Sequence, residues 1–185
     1  MDKQAAVSDR KGLHAPLRQF CGAHEGILDR LQELNALPEL AAFLQRARAG
    51  AAATLDLFDH VVLRHHAEEE QELFVSVLRS CRDARESHQV RQLVDQLTNG
   101  HRQIEALWSH VRPAVALTAA GKPHRDQAFE DEVHELVRLY REHARLEEEV
   151  FLPLADQILG RDPNHMAALD LSIHLRRAPA PSAYI

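Results

Sequence analysis

The sequence predicts an all-α protein, an antiparallel up-down-up-down four-helix bundle followed by a short C-terminal helix. Glycine is scarce, at 7 of 185 residues, which is unlike the turn-rich sequences of β folds. Apolar residues recur at helical spacings of three, four and seven along most of the chain. Breaker residues divide these rows into four long segments with short connections, as in a bundle. We expect residues 1–160 to form the bundle and residues 161–185 to form a short helix and a disordered tail.

The first two predicted helices are separated by the segment from Asn35 to Pro38, because proline is tolerated in a first helical turn. The apolar row of the first helix is Leu13, Leu17, Phe20, Ile27, Leu28, Leu31 and Leu34. The second helix runs to about Cys81, with Gly50 as a candidate early break. Its expected buried side is Leu55, Phe58, Val62, Leu63, Leu73, Phe74 and Val77.

The polar stretch SCRDARES leads into the third predicted helix, in which Pro113 is a candidate kink. The apolar residues of this helix are Val90, Leu93, Val94, Leu97, Ile104, Leu107, Trp108 and Val111. The loop AAGKPHRD precedes a fourth helix, which ends near Gly160. Its apolar residues are Phe129, Val133, Leu136, Val137, Tyr140, Val150, Phe151 and Leu154. Asp162 as a cap and Pro163 in the first turn then predict the short C-terminal helix.

Charge and hydropathy exclude several classes of partner. The net charge is −6 with histidine neutral, and no Lys/Arg run forms a phosphate-binding stripe, so we expect no nucleic-acid partner. No apolar run reaches the roughly 18 residues that span a bilayer, so we expect no membrane partner. The polar N-terminal stretch MDKQAAVSDRKGLHAPL has no signal-peptide core, and a cytoplasmic location is expected.

One pattern, H-x-x-x-E-x-x-x-F, occurs twice and contains candidate functional residues. It is found in HHAEEEQELF as His66, Glu70 and Phe74, and in EHARLEEEVF as His143, Glu147 and Phe151. Residues four apart share one helix face, so each helix presents an imidazole and a carboxylate to the same point. Apolar residues surround both pairs, which places them on the core-facing sides of the second and fourth helices.

A carboxylate in a bundle core is costly unless it is paired or bound to a metal ion. No Lys or Arg lies on the apolar faces that carry Glu70 and Glu147, so these two glutamates require a cation. Imidazole nitrogen together with carboxylate oxygen suits iron, manganese or zinc. On the other two helices, His24 and His101 occupy core positions, and four histidines with two glutamates suit two metal ions.

The stretches AHEGILDRLQEL, HHAEEEQELF, GHRQIEAL and EHARLEEEVFLP resemble the hemerythrin-like, or HHE cation-binding, family over roughly residues 12–160. The resemblance implies a non-heme di-iron site with an oxo or hydroxo bridge. It implies that His24, His66, His101 and His143 are terminal ligands and that Glu70 and Glu147 bridge the two ions. Iron is expected rather than manganese or zinc.

The chain departs from the oxygen-carrying members at two points. The third helix carries Glu105 where those members have a second histidine, and Glu147 follows His143 by four residues where they have an aspartate at five. A site richer in carboxylates looks more like the branch of iron sensors and di-iron repair proteins. Reversible oxygen carriage is therefore not the expected use.

Three assignments stay open in the sequence. His65 and Glu69 form a rival pair with the same spacing as His66 and Glu70, and the spacing from glutamate to phenylalanine favours His66. Glu105 is either a further ligand or a surface residue. Cys21, three residues before His24, is either an apolar core residue or a redox-active thiol.

The predicted function is binding of a dinuclear non-heme iron centre that binds or senses a small ligand, namely O₂, NO or peroxide, or iron itself. The rival hypothesis is an enzyme, either a di-iron oxidase or peroxidase or an iron-centre repair enzyme. A third hypothesis is an interaction module in which a coordinatively closed metal site stabilises the fold.

Overall fold

The computed structural model describes the backbone of residues 15–123 and 128–177 and the side chains of residues 26–123 and 128–171. All regular secondary structure in these residues is helical, which confirms the all-α fold class. The disordered tail predicted for the last eight residues lies outside the described part of the chain. The described helices are α1 (Ala15–Asp56), α2 (Leu63–Glu68), α3 (Phe74–Arg79), α4 (Ala84–Ala119), α5 (Phe129–Leu146), α6 (Leu152–Leu159) and α7 (Pro163–Arg177).

Three π-helical segments connect helices that the sequence predicts as continuous. They are π1 (Leu57–Val62), π2 (Glu69–Leu73) and π3 (Glu147–Phe151). The first two interrupt the second predicted helix and the third interrupts the fourth. Short π-helical stretches inside α-helices are rare and are frequent at functional sites. Two of the three coincide with the acidic runs of the duplicated motif.

Helix α1 continues through the predicted break at Pro38, so the prediction of an end near Asn35 is wrong. Proline removes one backbone hydrogen bond, but the flanking stretches LQELNAL and ELAAFLQRARA consist mostly of strong helix formers. The chain forms two compact units, divided between Ala47 and Arg48.

Apolar side chains recur along α1 in the first unit, as the spacing predicts, but they are exposed. Their exposed fractions lie between 52% and 61% for Ile27, Leu28, Leu31, Leu34, Leu37, Leu40, Phe43 and Leu44. The sequence predicts the first four of these side chains in the core. Periodicity determines which side chains share a helix face, whereas burial depends on what covers that face.

In the second unit, Asp83 sets the start of α4. Its Oδ1 accepts a hydrogen bond of 2.9 Å from the backbone N–H of Glu86, and the Glu86 carboxylate accepts one of 2.9 Å from the backbone N–H of Arg82. This pattern resembles a capping box, except that Glu86 accepts from the residue before the N-cap. The predicted polar connection is therefore shorter than SCRDARES, because its last four residues belong to the helix.

Gly121 ends the α4 region with a backbone φ of 68°, a conformation that glycine adopts without steric cost. The turn lies in the predicted loop AAGKPHRD, whose last three residues are outside the described part of the chain. At the far end of the unit, α7 begins at Pro163 as predicted, and Asp162 Oδ1 accepts a hydrogen bond of 2.9 Å from the backbone N–H of Asn164. Among the described helices, none has a stretch long and apolar enough to cross a membrane.

Two apolar clusters form the core of the second unit. One consists of Phe74, Val77, Val90, Leu97, Phe151, Ala155, Ile158 and Leu159. The other consists of Ile104, Trp108, Val111, Val115 and Leu136. In the second, Trp108 stacks on Phe58 with ring centroids 4.3 Å apart. Along α4, His101 lies between Leu97 of one cluster and Ile104 of the other, so polar groups interrupt the core at this level.

Candidate metal centre

Three histidines from three helical segments meet between the apolar clusters. His66 of α2, His101 of α4 and His143 of α5 are buried, with exposed fractions of 1%, 0% and 7%. Each offers one ring nitrogen, and these atoms all lie within 4.8 Å of one another. The rings of His66 and His101 are stacked with centroids 3.9 Å apart, and the ring of His143 lies edge-on to His101 at 4.6 Å.

Gly100 provides the space that the His143 ring occupies. A Cβ atom built on Gly100 would lie 3.0 Å from His143 Nδ1, which is closer than side chains normally approach. Glycine in a helix interior costs stability relative to alanine, so its presence here has a packing reason. The absent side chain lets the imidazole of α5 approach the backbone of α4.

A second group of ligand atoms lies beside the three imidazoles. His65, Glu69 and Glu147 each offer an atom, and these atoms also lie within 4.8 Å of one another. Glu69 and Glu147 are buried, and His65 lies at the exposed edge. His65 Nε2 is 3.1 Å from Glu69 Oε1. The two groups adjoin, since Glu69 Oε2 is 3.2 Å from His101 Nε2 and Glu147 Oε2 is 3.8 Å from His143 Nε2.

The π-helical segments position the two buried carboxylates. Glu69 is the first residue of π2 and Glu147 is the first residue of π3. Phe74 and Phe151, which follow them by five and by four residues, pack edge to face with centroids 5.1 Å apart. A π-helical turn joins residues five apart by backbone hydrogen bonds, so a separation of five can return to the same face.

Glu70 and Glu105 lie on the other side of the stacked imidazoles. Glu70 Oε1 is 2.8 Å from His101 Nδ1, and Glu105 Oε1 is 3.0 Å from His66 Nδ1. Arg102 forms ion pairs with both glutamates. These two carboxylates thus contact the Nδ1 atoms of rings whose Nε2 atoms are directed elsewhere.

Several buried ligand atoms of the two groups lack a hydrogen-bonding partner. Among the described residues, these buried atoms without a hydrogen bond are His66 Nε2, His101 Nε2, both ring nitrogens of His143 and both carboxylate oxygens of Glu69. A buried polar atom without a partner costs free energy, so native proteins seldom leave several together. Nitrogen and oxygen donors with free lone pairs fit a transition-metal ion.

Two of the three imidazoles, those of His66 and His143, are held in the neutral form that metal binding requires. Burial lowers the pKa of His66, and burial together with the nearby His101 lowers the pKa of His143 to about 4. Burial also disfavours the charged form of His101, but the adjacent carboxylates of Glu69 and Glu70 raise its pKa overall.

The two buried glutamates have pKa values that move apart. Burial and the neighbouring Glu69 carboxylate raise the pKa of Glu147. Burial also opposes ionisation of Glu69, but the adjacent side chains of His101 and Glu147 hold its pKa below the usual value. In the described part of the chain, the ion pairs formed by these two carboxylates involve only histidine. A cation is what would allow both to ionise.

The structure brings together four of the six residues that the sequence predicts as ligands: His66, His101, His143 and Glu147. Glu70 contacts His101 Nδ1 and Arg102, outside the two groups of ligand atoms. The side chain of His24 lies outside the described residues, as does that of Cys21, so their predicted roles stay predictions.

Sequence reasoning missed two residues of this region. Gly100 carried a usable signal, because a glycine inside a helical pattern often marks a close approach. Arg102 carried none, because an arginine next to a core histidine reads as an exposed residue of the adjacent helix face.

An apolar cavity of about 720 Å³ opens beside the second group. His65 and Tyr140 line its end near the ligand atoms, and Val62, Leu136 and Val137 are among its apolar walls. The cavity is an apolar path to the exposed edge of the histidine–glutamate cluster.

A model of the hemerythrin HHE cation-binding domain matches residues 15–155. The chain belongs to this family. Membership also agrees with the predicted helical bundle, because the hemerythrin domain is one. For this HHE domain, the buried histidine–glutamate cluster and the family's cation binding together indicate a metal site. No curated protein and no solved structure matches the chain.

Proposed function

We propose that this HHE domain binds a dinuclear non-heme iron centre and uses it to bind or sense a small ligand, namely O₂, NO or peroxide, or iron itself. The observation that supports it most is the pair of adjoining ligand groups. One contains His66, His101 and His143, and the other contains His65, Glu69 and Glu147. Two ions are proposed because each group offers three ligand atoms within a 4.8 Å span.

The protein residues have distinct roles in this proposal. The three buried imidazoles bind as neutral donors, while Glu69 and Glu147 contribute the negative charge that offsets the charge of the ions. Both carboxylates lie next to an imidazole of the first group, so they are the candidates to join the two ions. Iron bound here would supply an open position for a small ligand. Apolar walls such as Val62 and Leu136 exclude water from that side.

A second candidate is an enzyme, a di-iron oxidase or peroxidase. The observation that favours it is the cavity of about 720 Å³, which exceeds what a diatomic ligand needs and falls in the range of small-molecule sites. Turnover of peroxide with release of an oxidised apolar substrate supports the enzyme, and stoichiometric binding without product supports the sensor. The small ligand and the cytoplasmic location remain predictions.

The test is metal analysis with an optical spectrum of protein from iron-replete cells. We expect about two iron ions per chain and near-ultraviolet oxo-iron absorption in the oxidised protein. His66→Ala removes a buried donor of the first group and should at least halve the metal content. His65→Ala tests the exposed edge of the second group, where we expect loss of one ion.

His110→Ala is the matched control, because His110 is exposed and outside both groups. It should keep the metal content and spectrum of the unaltered protein. Colourless protein with stoichiometric zinc from iron-replete cells contradicts the iron assignment. Full metal retention in both His65→Ala and His66→Ala contradicts the site itself.

A further inference from the structure

We propose that Arg102, Glu70 and Glu105 form a clamp that positions His66 and His101 for metal binding, with Arg102 as the residue that joins its two halves. This inference rests on the proposed metal site. It assigns a positioning role to three residues that lie outside the two groups of ligand atoms.

The clamp is reciprocal between two helical segments. His66 of α2 contacts Glu105 of α4 through Nδ1 at 3.0 Å, and His101 of α4 contacts Glu70 of π2 through Nδ1 at 2.8 Å. The continuous stretch of α2 and π2 thus contributes one imidazole and one carboxylate, and α4 also contributes one of each. Each imidazole contacts the carboxylate of the other stretch. The rings of His66 and His101 are also stacked, with an angle of 7° between their planes.

Arg102 contacts the free oxygen of each carboxylate. Its Nη2 atom is 2.5 Å from Glu70 Oε2, and its Nη1 atom is 3.1 Å from Glu105 Oε2. Each glutamate thus uses one oxygen for an imidazole and the other for the guanidinium. A planar guanidinium holds its donors in a fixed fork, so one side chain can fix the separation of two carboxylates.

The clamp holds a proton on Nδ1 of both rings. A carboxylate accepts a hydrogen bond, so the Nδ1 atoms of His66 and His101 carry protons and donate them. The Nε2 atom of His66 then presents a lone pair and is buried without a hydrogen bond, whereas the Nε2 atom of His101 faces Glu69 Oε2 at 3.2 Å. Histidine ligands are commonly fixed in this way by a carboxylate on the other ring nitrogen.

A purely stabilising ion-pair network explains this arrangement less well. The Arg102 side chain is 54% exposed, and exposed ion pairs contribute little to stability. Its two partners are less exposed, and the oxygens that Arg102 leaves free are the ones that contact the imidazoles. Loss of Arg102 should therefore affect the two rings more than it affects folding.

The test compares Arg102→Ala with Arg138→Ala. Arg138 is a matched control, because it is about equally exposed and also joins two carboxylates, those of Glu135 and Glu142, away from the site. We expect Arg102→Ala to lower the affinity for iron(II) by about 10- to 100-fold, as other residues that orient metal ligands do. The melting temperature of the metal-free protein should change no more than in Arg138→Ala.

Nitrogen-15 NMR of the metal-free protein gives a readout that does not depend on metal. Nδ1 should be protonated in both His66 and His101 of the unaltered protein, with His66 as the neutral Nδ1–H tautomer, and His66 should become a mixture of tautomers in Arg102→Ala. Arg102→Lys keeps the charge but not the fork, so it should recover part of the affinity.

Unchanged tautomers in Arg102→Ala overturn the clamp, whatever the iron affinity does. Unchanged iron affinity together with altered tautomers overturns its role in metal binding. If the unaltered protein takes up no metal, the proposed function fails, while the NMR experiment still decides whether the clamp exists.

Discussion

Two buried glutamates of the second unit have pKa values that are shifted in opposite directions. Glu86, at the start of α4, forms two hydrogen bonds with Arg161 at 2.5 and 2.8 Å, which hold its pKa at about 2. Glu147, at the start of π3, lies against Glu69, and burial together with that neighbour raises its pKa to about 8. The chain supplies a cation to the first region and imidazoles to the second.

The difference separates a structural carboxylate from a candidate ligand. Where a buried glutamate only joins two segments, a fixed arginine satisfies its charge. Where the glutamate is meant to bind an ion, a built-in arginine would compete with that ion. Neutral imidazoles beside Glu147 leave its carboxylate free to ionise when a metal ion binds.

The largest expected effect comes from removing the charge of one carboxylate in each region. Glu147→Gln should lose at least one of the two proposed metal ions, because a neutral amide holds cations poorly. Glu86→Gln should keep both ions and lower the melting temperature, because Arg161 loses its charged partner. Metal content by plasma emission spectroscopy, with thermal melting of the same samples, checks both.

Glu69→Gln and Glu70→Gln extend the comparison to the register of the first motif. We expect Glu69→Gln to lose metal as Glu147→Gln does, and Glu70→Gln to keep more of it. The reverse order would show that Glu70, the glutamate favoured by sequence spacing, is the ligand.

A smaller effect is expected from pH in the metal-free protein. The unfolded chain has Glu147 ionised near neutral pH, whereas the folded protein keeps the proton up to a pKa of about 8. Unfolding thus releases a proton, and the free energy of unfolding should fall as pH rises from about 7 to about 8, by at most ~1.4 kcal/mol per unit. Urea unfolding at both pH values measures this slope.

His101 is another source of such a slope, because its raised pKa also makes the free energy of unfolding fall as pH rises above the ordinary histidine range. His66 and His143 have lowered pKa values, so they reduce stability only below the ordinary histidine range. Glu86 has a lowered pKa, so its contribution is constant at neutral pH and is lost only in acid. The slope should be smaller in Glu147→Gln than in the unaltered protein and should vanish in metal-loaded protein, and an unchanged slope in Glu147→Gln would assign it to another group.

The smallest expected effect is steric. Gly100→Ala places a methyl group 3.0 Å from His143 Nδ1 and should displace that ring, lowering metal affinity by about 10-fold. Gly50→Ala is its control, since a Cβ there meets no atom within 4 Å. Isothermal titration with iron(II) under anaerobic conditions compares them. Equal affinities would show that His143 tolerates the displacement.

The sequence predicted the helices of the second unit because apolar spacing and end signals agree there. Asp162 and Pro163 marked the start of α7 correctly. The predicted helix end before Pro38 was wrong. Proline is only a local signal, and the good helix formers on both sides of it continue α1. Burial of the α1 row could not be predicted, since spacing does not specify a covering surface.

The site was predictable to the level of the helix face but not of the single residue. His66, His101, His143 and Glu147 converge, as the duplicated motif suggested. Glu69, the first residue of π2, lies next to Glu147, and Phe74 follows it by five residues because π2 alters the angular spacing that an α-helix would give. Nothing in the letters HHAEEEQELF distinguishes a π-helical turn from an α-helical one, so the register depends on tertiary packing.

The stack of Trp108 on Phe58 has a practical consequence for solution work. Trp108 is the single tryptophan of the sequence, and it lines the apolar cavity beside the histidine–glutamate cluster. Its indole N–H also donates a hydrogen bond of 3.2 Å to Asp59. Fluorescence emission therefore comes from one indole at a known place, and a label-free titration can follow the arrival of an apolar molecule at that wall.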